Sequence, residues 1–160
     1  MINVFTIGVY GSTENSFFEK LAQSRIDLFC DIRQRRGVRG SQYKYVNSNY
    51  LQIKLFEMGI KYLYVKELAP TKEIRQKQKD ADKLNNETKK QRTSLGYVFI
   101  SEYNKRVLDK FDIDNFINEL NNSGVQNIVL FCVEEHAEAC HRSLVAQLLA
   151  KKLETKVINL

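Results

Sequence analysis

Three short apolar runs, each ending on a glycine or beside charged residues and separated by stretches with helical spacing, constrain this chain's fold more than any other feature. Val4-Phe-Thr-Ile-Gly8 is the first, Ile26 to Ile32 with its Asp31-Ile32-Arg33 ending is the second, and Ile128 to Cys132 is the third. Continuous apolar runs of this length are the signature of strands buried on both faces. Between them, Phe17, Phe18, Leu21 and Ala22 recur at helical spacing. Asn47 stands where it can cap a second helix that turns Leu51, Leu55 and Met58 inward, with Gly59 just past its end. Tyr62 to Val65 reads as another strand. Tyr97, Ile100, Tyr103 and Val107, then Ile113, Phe116, Ile117 and Leu120 before Gly124, give two more amphipathic helices. A last helix carries Leu144, Val145, Leu148 and Leu149, and Lys156 to Leu160 reads as a final strand.

Strands alternating with helices predict an α/β fold, a three-layer domain with a mostly parallel sheet of about five strands and helices on both faces. The length of 160 residues, 43% hydrophobic, suits one core and one domain spanning 1–160. Lys66 to Ser94 breaks the pattern: apolar residues are sparse and charges alternate, so a solvated helix or a mobile lid inserted at about 66–95 is expected there.

No apolar run approaches the roughly 20 residues of a spanning helix, so no membrane partner is expected. Met1 to Val9 lacks the basic start and cleavage site of an export signal, and three cysteines without paired spacing argue for reduced thiols. A cytoplasmic location is the resulting expectation. The formal net charge of +6 is concentrated: Arg33 to Lys44 holds five basic and no acidic residues, and Lys66 to Arg92 nine against five. Such placement points to a polyanionic partner, nucleic acid or a phosphorylated ligand.

In parallel sheets, ligands bind beyond the carboxyl ends of the strands, which nominates Gly8 to Ser12, Asp31 to Arg33 and Cys132 to Arg142 together. Asp31 closes an apolar strand and needs a partner. Either it pins the loop through Arg33 or Arg142, or it orients a substrate-binding arginine, binds a cation or acts as a base. Cys140, His141 and Arg142 fall at the first turn of the last long helix, where the helix dipole and Arg142 favour a thiolate. The bland alternative is a cysteine packed beneath the turn. Asp31, Glu134, Cys140, His141 and Arg142 are thus the candidate catalytic residues. Cysteine-based phosphoryl transfer is discounted, because Cys140 and Arg142 are too close for a phosphate cradle and Glu134, Glu135 and Glu138 precede them.

Arg33, Arg35, Arg36 and Arg39, with Gly37 and Gly40, are the candidate phosphate or nucleic-acid contacts, and Tyr43, Tyr45 and Tyr50 are candidate stacking rings. No metal ligands are assigned: Cys132, Cys140 and His141 are soft donors, but there is no Cys-x-x-Cys pair and His136 lies in a turn. A magnesium ion held by Asp31 and Glu134 with substrate phosphates is favoured over zinc. The sequence names no cofactor and no oligomeric state.

Thr6-Ile-Gly8, Cys30-Asp31-Ile-Arg33, Gly59-Ile-x-Tyr62, Cys132-Val-Glu134 and Cys140-His141-Arg142 occur in the order and approximate spacing of domain-of-unknown-function family 488, which the chain resembles over nearly its whole length. The resemblance implies that Asp31, Arg33, Glu134, Cys140, His141 and Arg142 are a family signature, and it implies no established reaction. Val9-Tyr10-Gly11 stands where many members have His-Ser, Leu68-Ala69-Pro70 where they have Leu-Gly-Gly, and Asn159 where a histidine is common. Leu68-Ala-Pro-Thr-Lys-Glu-Ile-Arg75 resembles a subgroup. The expected function is a nucleic-acid- or nucleotide-associated protein with a polar, hydrolytic pocket. The rivals are a small-molecule enzyme using Cys140 as nucleophile or ligand, and a non-catalytic interaction domain.

Overall fold

A computed structural model describes residues 1–88 and 91–160. Its five strands are β1 (Asn3–Ile7), β2 (Leu28–Asp31), β3 (Lys61–Tyr64), β4 (Asn127–Phe131) and β5 (Val157–Asn159), all parallel, in the order β3-β2-β4-β1-β5. The helices are α1 (Glu14–Gln23), α2 (Ser48–Glu57), α3 (Lys72–Leu84), α4 (Tyr97–Arg106), α5 (Ile113–Asn122) and α6 (His141–Lys152). The expected α/β architecture is therefore the observed one.

Strand position follows apolarity. β2 is buried throughout and β4 at all but its first residue, as central strands must be, whereas edge strands β3 and β5 stay partly exposed. Alternate side chains feed two cores. Leu28 and Cys30 of β2, with Ile32 just beyond it, join Ile128 and Leu130 of β4 beneath α4, α5 and α6. Phe29 joins Val129 and Phe131 on the other face, under Phe17 and Leu21 of α1 and Leu51 and Leu55 of α2. The helical faces shift slightly from the sequence reading: Ala22 is exposed, and Val145, Ala146 and Leu149 bury more fully than Leu144 or Leu148.

Turn chemistry fixes several boundaries. Thr13 and Ser16 close a capping box at α1, and Asp112 caps α5 on the Asn115 amide. Asn47 stands at the N-cap of α2, but its Oδ1 accepts from the Val38 amide instead, at 2.8 Å, tying the basic loop to the helix. Gly59 follows α2 in the left-handed region, at φ +73°, which favours glycine.

The segment expected to be a solvated helix or lid contains α3. Ile74, Gln78 and Asp82, four residues apart, form its buried stripe. Only the first is apolar, so α3 is held by one side chain in the core and by hydrogen bonds: Gln78 donates to Asp82 and accepts from the Gly96 amide.

Candidate functional site

The carboxyl edge of the sheet carries two separate clusters. At the end of β2, Asp31 is fully buried, and its oxygens accept from Arg33 Nε at 2.9 Å, Arg33 Nη2 at 2.7 Å and the Arg33 amide at 3.2 Å. Tyr62 Oη adds a fourth bond at 2.8 Å from the neighbouring strand. The geometry follows from strand alternation, since Asp31 and Arg33 are two apart and share a face. Beneath them the Phe131 ring lies 4.6 Å from the Arg33 guanidinium. Burial, with Asp31 nearby, pushes the Tyr62 phenol up to about 12. Cys30, on the opposite face, is likewise pushed up to about 12 by burial and then by Asp31. The pair of Asp31 with Arg33 that the sequence offered is present, and Arg142 takes no part in it.

The four loop arginines divide sharply. Arg33 is buried in this pair, while Arg35 and Arg39 are exposed and Arg36 is half-buried, its guanidinium 4.4 Å from the Tyr64 ring centre. Among the described residues, Arg35, Arg36 and Arg39 make no ion pair. Their loop is nonetheless tied down: Ser48 N donates to Arg36 O at 2.9 Å, Tyr64 Oη to Gln34 O at 3.3 Å, and Arg75 reaches Gln34 from α3. Tyr43 and Tyr45 are buried, Tyr45 hydrogen-bonding Ser12, so of the three tyrosines only Tyr50 presents an exposed ring.

The second cluster forms where β4 runs into α6. Cys132 lies one residue beyond β4, Cys140 is the N-cap of α6 in extended conformation, and His141 begins the helix. Two consecutive side chains in a regular strand point to opposite faces, and in a helix they diverge by about 100°. The change of conformation between Cys140 and His141 instead lets both face Cys132. The two sulfurs and a ring nitrogen all lie within 4.8 Å of one another, with all three residues buried. His141 Nε2 lies 2.9 Å from the Ile32 carbonyl, which only accepts, so Nε2 carries the proton and Nδ1 faces Cys140 Sγ at 3.7 Å. A hydrogen bond from Cys140 holds the Cys132 thiol down to about 5, against burial and Glu134, with His141 assisting. Burial pushes the Cys140 thiol up. At His141 burial opposes the charged form, yet the Cys132 sulfur outweighs it and the ring's affinity for a proton rises.

The remaining signature residues build the walls. Arg142 Nη1 donates to the Glu134 carbonyl at 2.6 Å and Nη2 to the Glu135 carbonyl at 3.0 Å, so it braces the loop between β4 and α6. The first turn of that loop lies so close to β1 that a Cβ on Gly8 would stand 1.9 Å from the Glu134 oxygen. Glu134 itself accepts from Arg92 Nη2 at 3.3 Å; Arg92 also pairs with Asp82 at 2.7 Å and donates to the Ala139 carbonyl at 3.0 and 3.2 Å. Arg92 thereby fastens α3 over the cysteine cluster. With Asp31 held by Arg33 and Glu134 by Arg92, the two carboxylates suggested for magnesium are engaged in different clusters. His136 is exposed.

A family model described as "Domain of unknown function DUF488" matches residues 14–149. The chain belongs to this family. The DUF488 match takes in β2, β3 and β4 and every residue of both clusters, while Gly8, on which their packing depends, lies just before it. No curated protein and no solved structure matches the chain.

Sequence reasoning passed over Arg92 and Asp82, which bury a charge pair of their own, and Tyr62, the third partner of Asp31. The period-four stripe at Ile74, Gln78 and Asp82 was the available signal for Asp82. For Tyr62 it was strand register, which pairs β2 with β3 and places Tyr62 beside Phe29.

Proposed function

We propose that this DUF488 protein binds nucleic-acid backbone through the loop that follows β2. The observation that carries the reading is the division of the arginines: Arg33 is buried against Asp31, whereas Arg35 and Arg39 are exposed, Arg36 lies against the Tyr64 ring, and none of these three makes an ion pair among the described residues, on a loop already fixed by hydrogen bonds. Arginine's planar fork suits phosphate oxygens, and a loop ordered beforehand loses little entropy on binding. Asp31 serves here as the anchor of the loop, since both its oxygens already accept hydrogen bonds. The exposed side chains of Lys44 and Tyr50 follow this loop in the sequence.

Fluorescence anisotropy with single- and double-stranded oligonucleotides tests this. Binding is expected to weaken with salt as counterions are released, and to be lost in an Arg35→Ala/Arg36→Ala/Arg39→Ala variant that keeps its fold. Absence of binding by the wild type at low salt overturns the proposal.

The rival, a small-molecule enzyme centred on Cys140, draws support from the gathered cysteines and histidine. Cys140 is about 1% exposed and its thiol is held protonated, which suits a ligand that is deprotonated on binding better than a free nucleophile.

A further inference from the structure

We infer that Cys132, Cys140 and His141 form a binding site for a divalent transition metal of the zinc class. Two sulfurs and one imidazole nitrogen are a recognised donor set for zinc, and hard cations such as magnesium prefer oxygen. In tetrahedral zinc coordination a sulfur and a nitrogen ligand lie about 3.6 Å apart and two sulfurs about 3.8 Å. Cys140 Sγ and His141 Nδ1 stand 3.7 Å apart, and the whole set lies within 4.8 Å, so side-chain adjustments of about 1 Å or less complete the geometry.

The histidine supplies the second observation. Its Nε2–H is committed to the Ile32 carbonyl at 2.9 Å, which leaves the Nδ1 lone pair as the one facing the sulfurs. A ligating histidine ordinarily donates its other nitrogen to just such a group, which sets both tautomer and ring orientation. Tyr103 packs against the ring with centroids 5.5 Å apart, adding an apolar wall.

Charge gives a third reason. With both sulfurs deprotonated in the bound state, two thiolates, one neutral imidazole and a divalent ion sum to zero. A neutral centre is the least costly occupant of a buried site. Three protein ligands leave a fourth position for water or a substrate atom, the pattern of catalytic rather than purely structural zinc. Glu134, two residues beyond Cys132, is itself held by Arg92 at 3.3 Å. This inference is independent of the nucleic-acid reading and survives its failure.

Cobalt titration of the full chain tests it. One equivalent of Co²⁺ is expected to produce thiolate-to-cobalt charge-transfer bands and the intense visible bands of a tetrahedral ion, both abolished by one equivalent of Zn²⁺. Cys132→Ser, Cys140→Ser and His141→Asn should each weaken Co²⁺ binding by more than the 10–100-fold typical of losing an outer-shell partner. Cys30→Ala should leave the bands intact. Because a cluster variant can fail to fold, X-ray absorption on the zinc-loaded wild type provides an independent reading: two sulfurs at about 2.3 Å and at least one nitrogen at about 2.0 Å are expected. Bound metal without sulfur ligands, no uptake by the folded wild type, or unchanged bands in folded Cys132→Ser or Cys140→Ser overturns the proposal.

Discussion

The ends of β2 and β4 face the same edge of the sheet and solve opposite problems. At β2 the buried carboxylate of Asp31 is matched by a guanidinium, an amide and a phenol within the protein. At β4 the chain gathers electron-pair donors, two sulfurs and a ring nitrogen, where a saturated core would place methyl groups. Signature motifs that read alike in sequence therefore divide into an anchor and a centre. Asp31 and Arg33 pair with each other and Arg142 bonds two loop carbonyls, whereas Cys132, Cys140 and His141 gather two sulfurs and a ring nitrogen within 4.8 Å of one another.

The anchor should fail hardest when one partner is removed. Asp31→Ala leaves Arg33 charged and buried, and breaking a buried pair from one side costs roughly 3–5 kcal/mol, to be read by denaturant unfolding. A loss below about 1 kcal/mol would show that the pair does not anchor the fold. Arg92→Leu strands Asp82 and Glu134 in the same way, but its partners are 10 and 42 residues away, on α3 and beside the cysteine cluster. Its effect should be regional: backbone amides of α3 lose hydrogen-exchange protection while those of β1, β2 and β4 keep theirs. Equal loss in the central strands would join the two ends into one cooperative unit.

Gly8→Ala comes next. Its new Cβ would overlap a backbone oxygen rather than a flexible side chain, so β1 and the β4–α6 loop must part. The expected cost is about 1–3 kcal/mol or more, with the Arg142 brace and the cysteine cluster disturbed together. A crystal structure of the variant with cysteine and histidine spacing unchanged would separate that brace from the centre.

The strands and helices were legible because a buried parallel sheet writes itself as unbroken apolar runs, and β2 and β4 are such runs. The Asp31–Arg33 pair was legible too, as one of two options, because alternation puts both on one face. The cysteine cluster was visible only as an undiagnostic spacing. Cys132 and Cys140 are eight apart, and only the return of the chain through the loop and the extended backbone at Cys140 brings them together. Arg92 and Asp82 were hidden by composition: a charged stretch reads as solvated, and two of the three residues in the buried stripe of α3 are polar.

The two ends also differ in how they hold a thiol. Cys30 in β2 stays protonated to about 12 against an ordinary value of 9.0, whereas Cys132 is held down. Between those two values the unfolded chain has lost the Cys30 proton and the folded chain has kept it. Its contribution is thus complete below about pH 9 and falls as pH rises, by about 1.4 kcal/mol per unit, until it is gone above the folded value. Urea unfolding of wild type and Cys30→Ala from pH 8 to 11 should show the shallower alkaline slope in the variant. Parallel slopes would remove burial of Cys30 as a cause.

The smallest stability effect should come from the arginines nearest the anchor in sequence. Arg35 and Arg39 are exposed and make no ion pair among the described residues, so replacing both with alanine should change unfolding free energy by no more than about 0.5 kcal/mol each. Arg33 and Arg35 are two residues apart in sequence and an entire environment apart in the fold. If nucleic-acid binding disappears in the double variant while stability holds, the loop divides into a residue that builds it and residues that use it. If instead Arg35→Ala/Arg39→Ala unfolds as readily as Asp31→Ala, these exposed arginines belong to the anchor, and the surface assigned to phosphate has no independent existence.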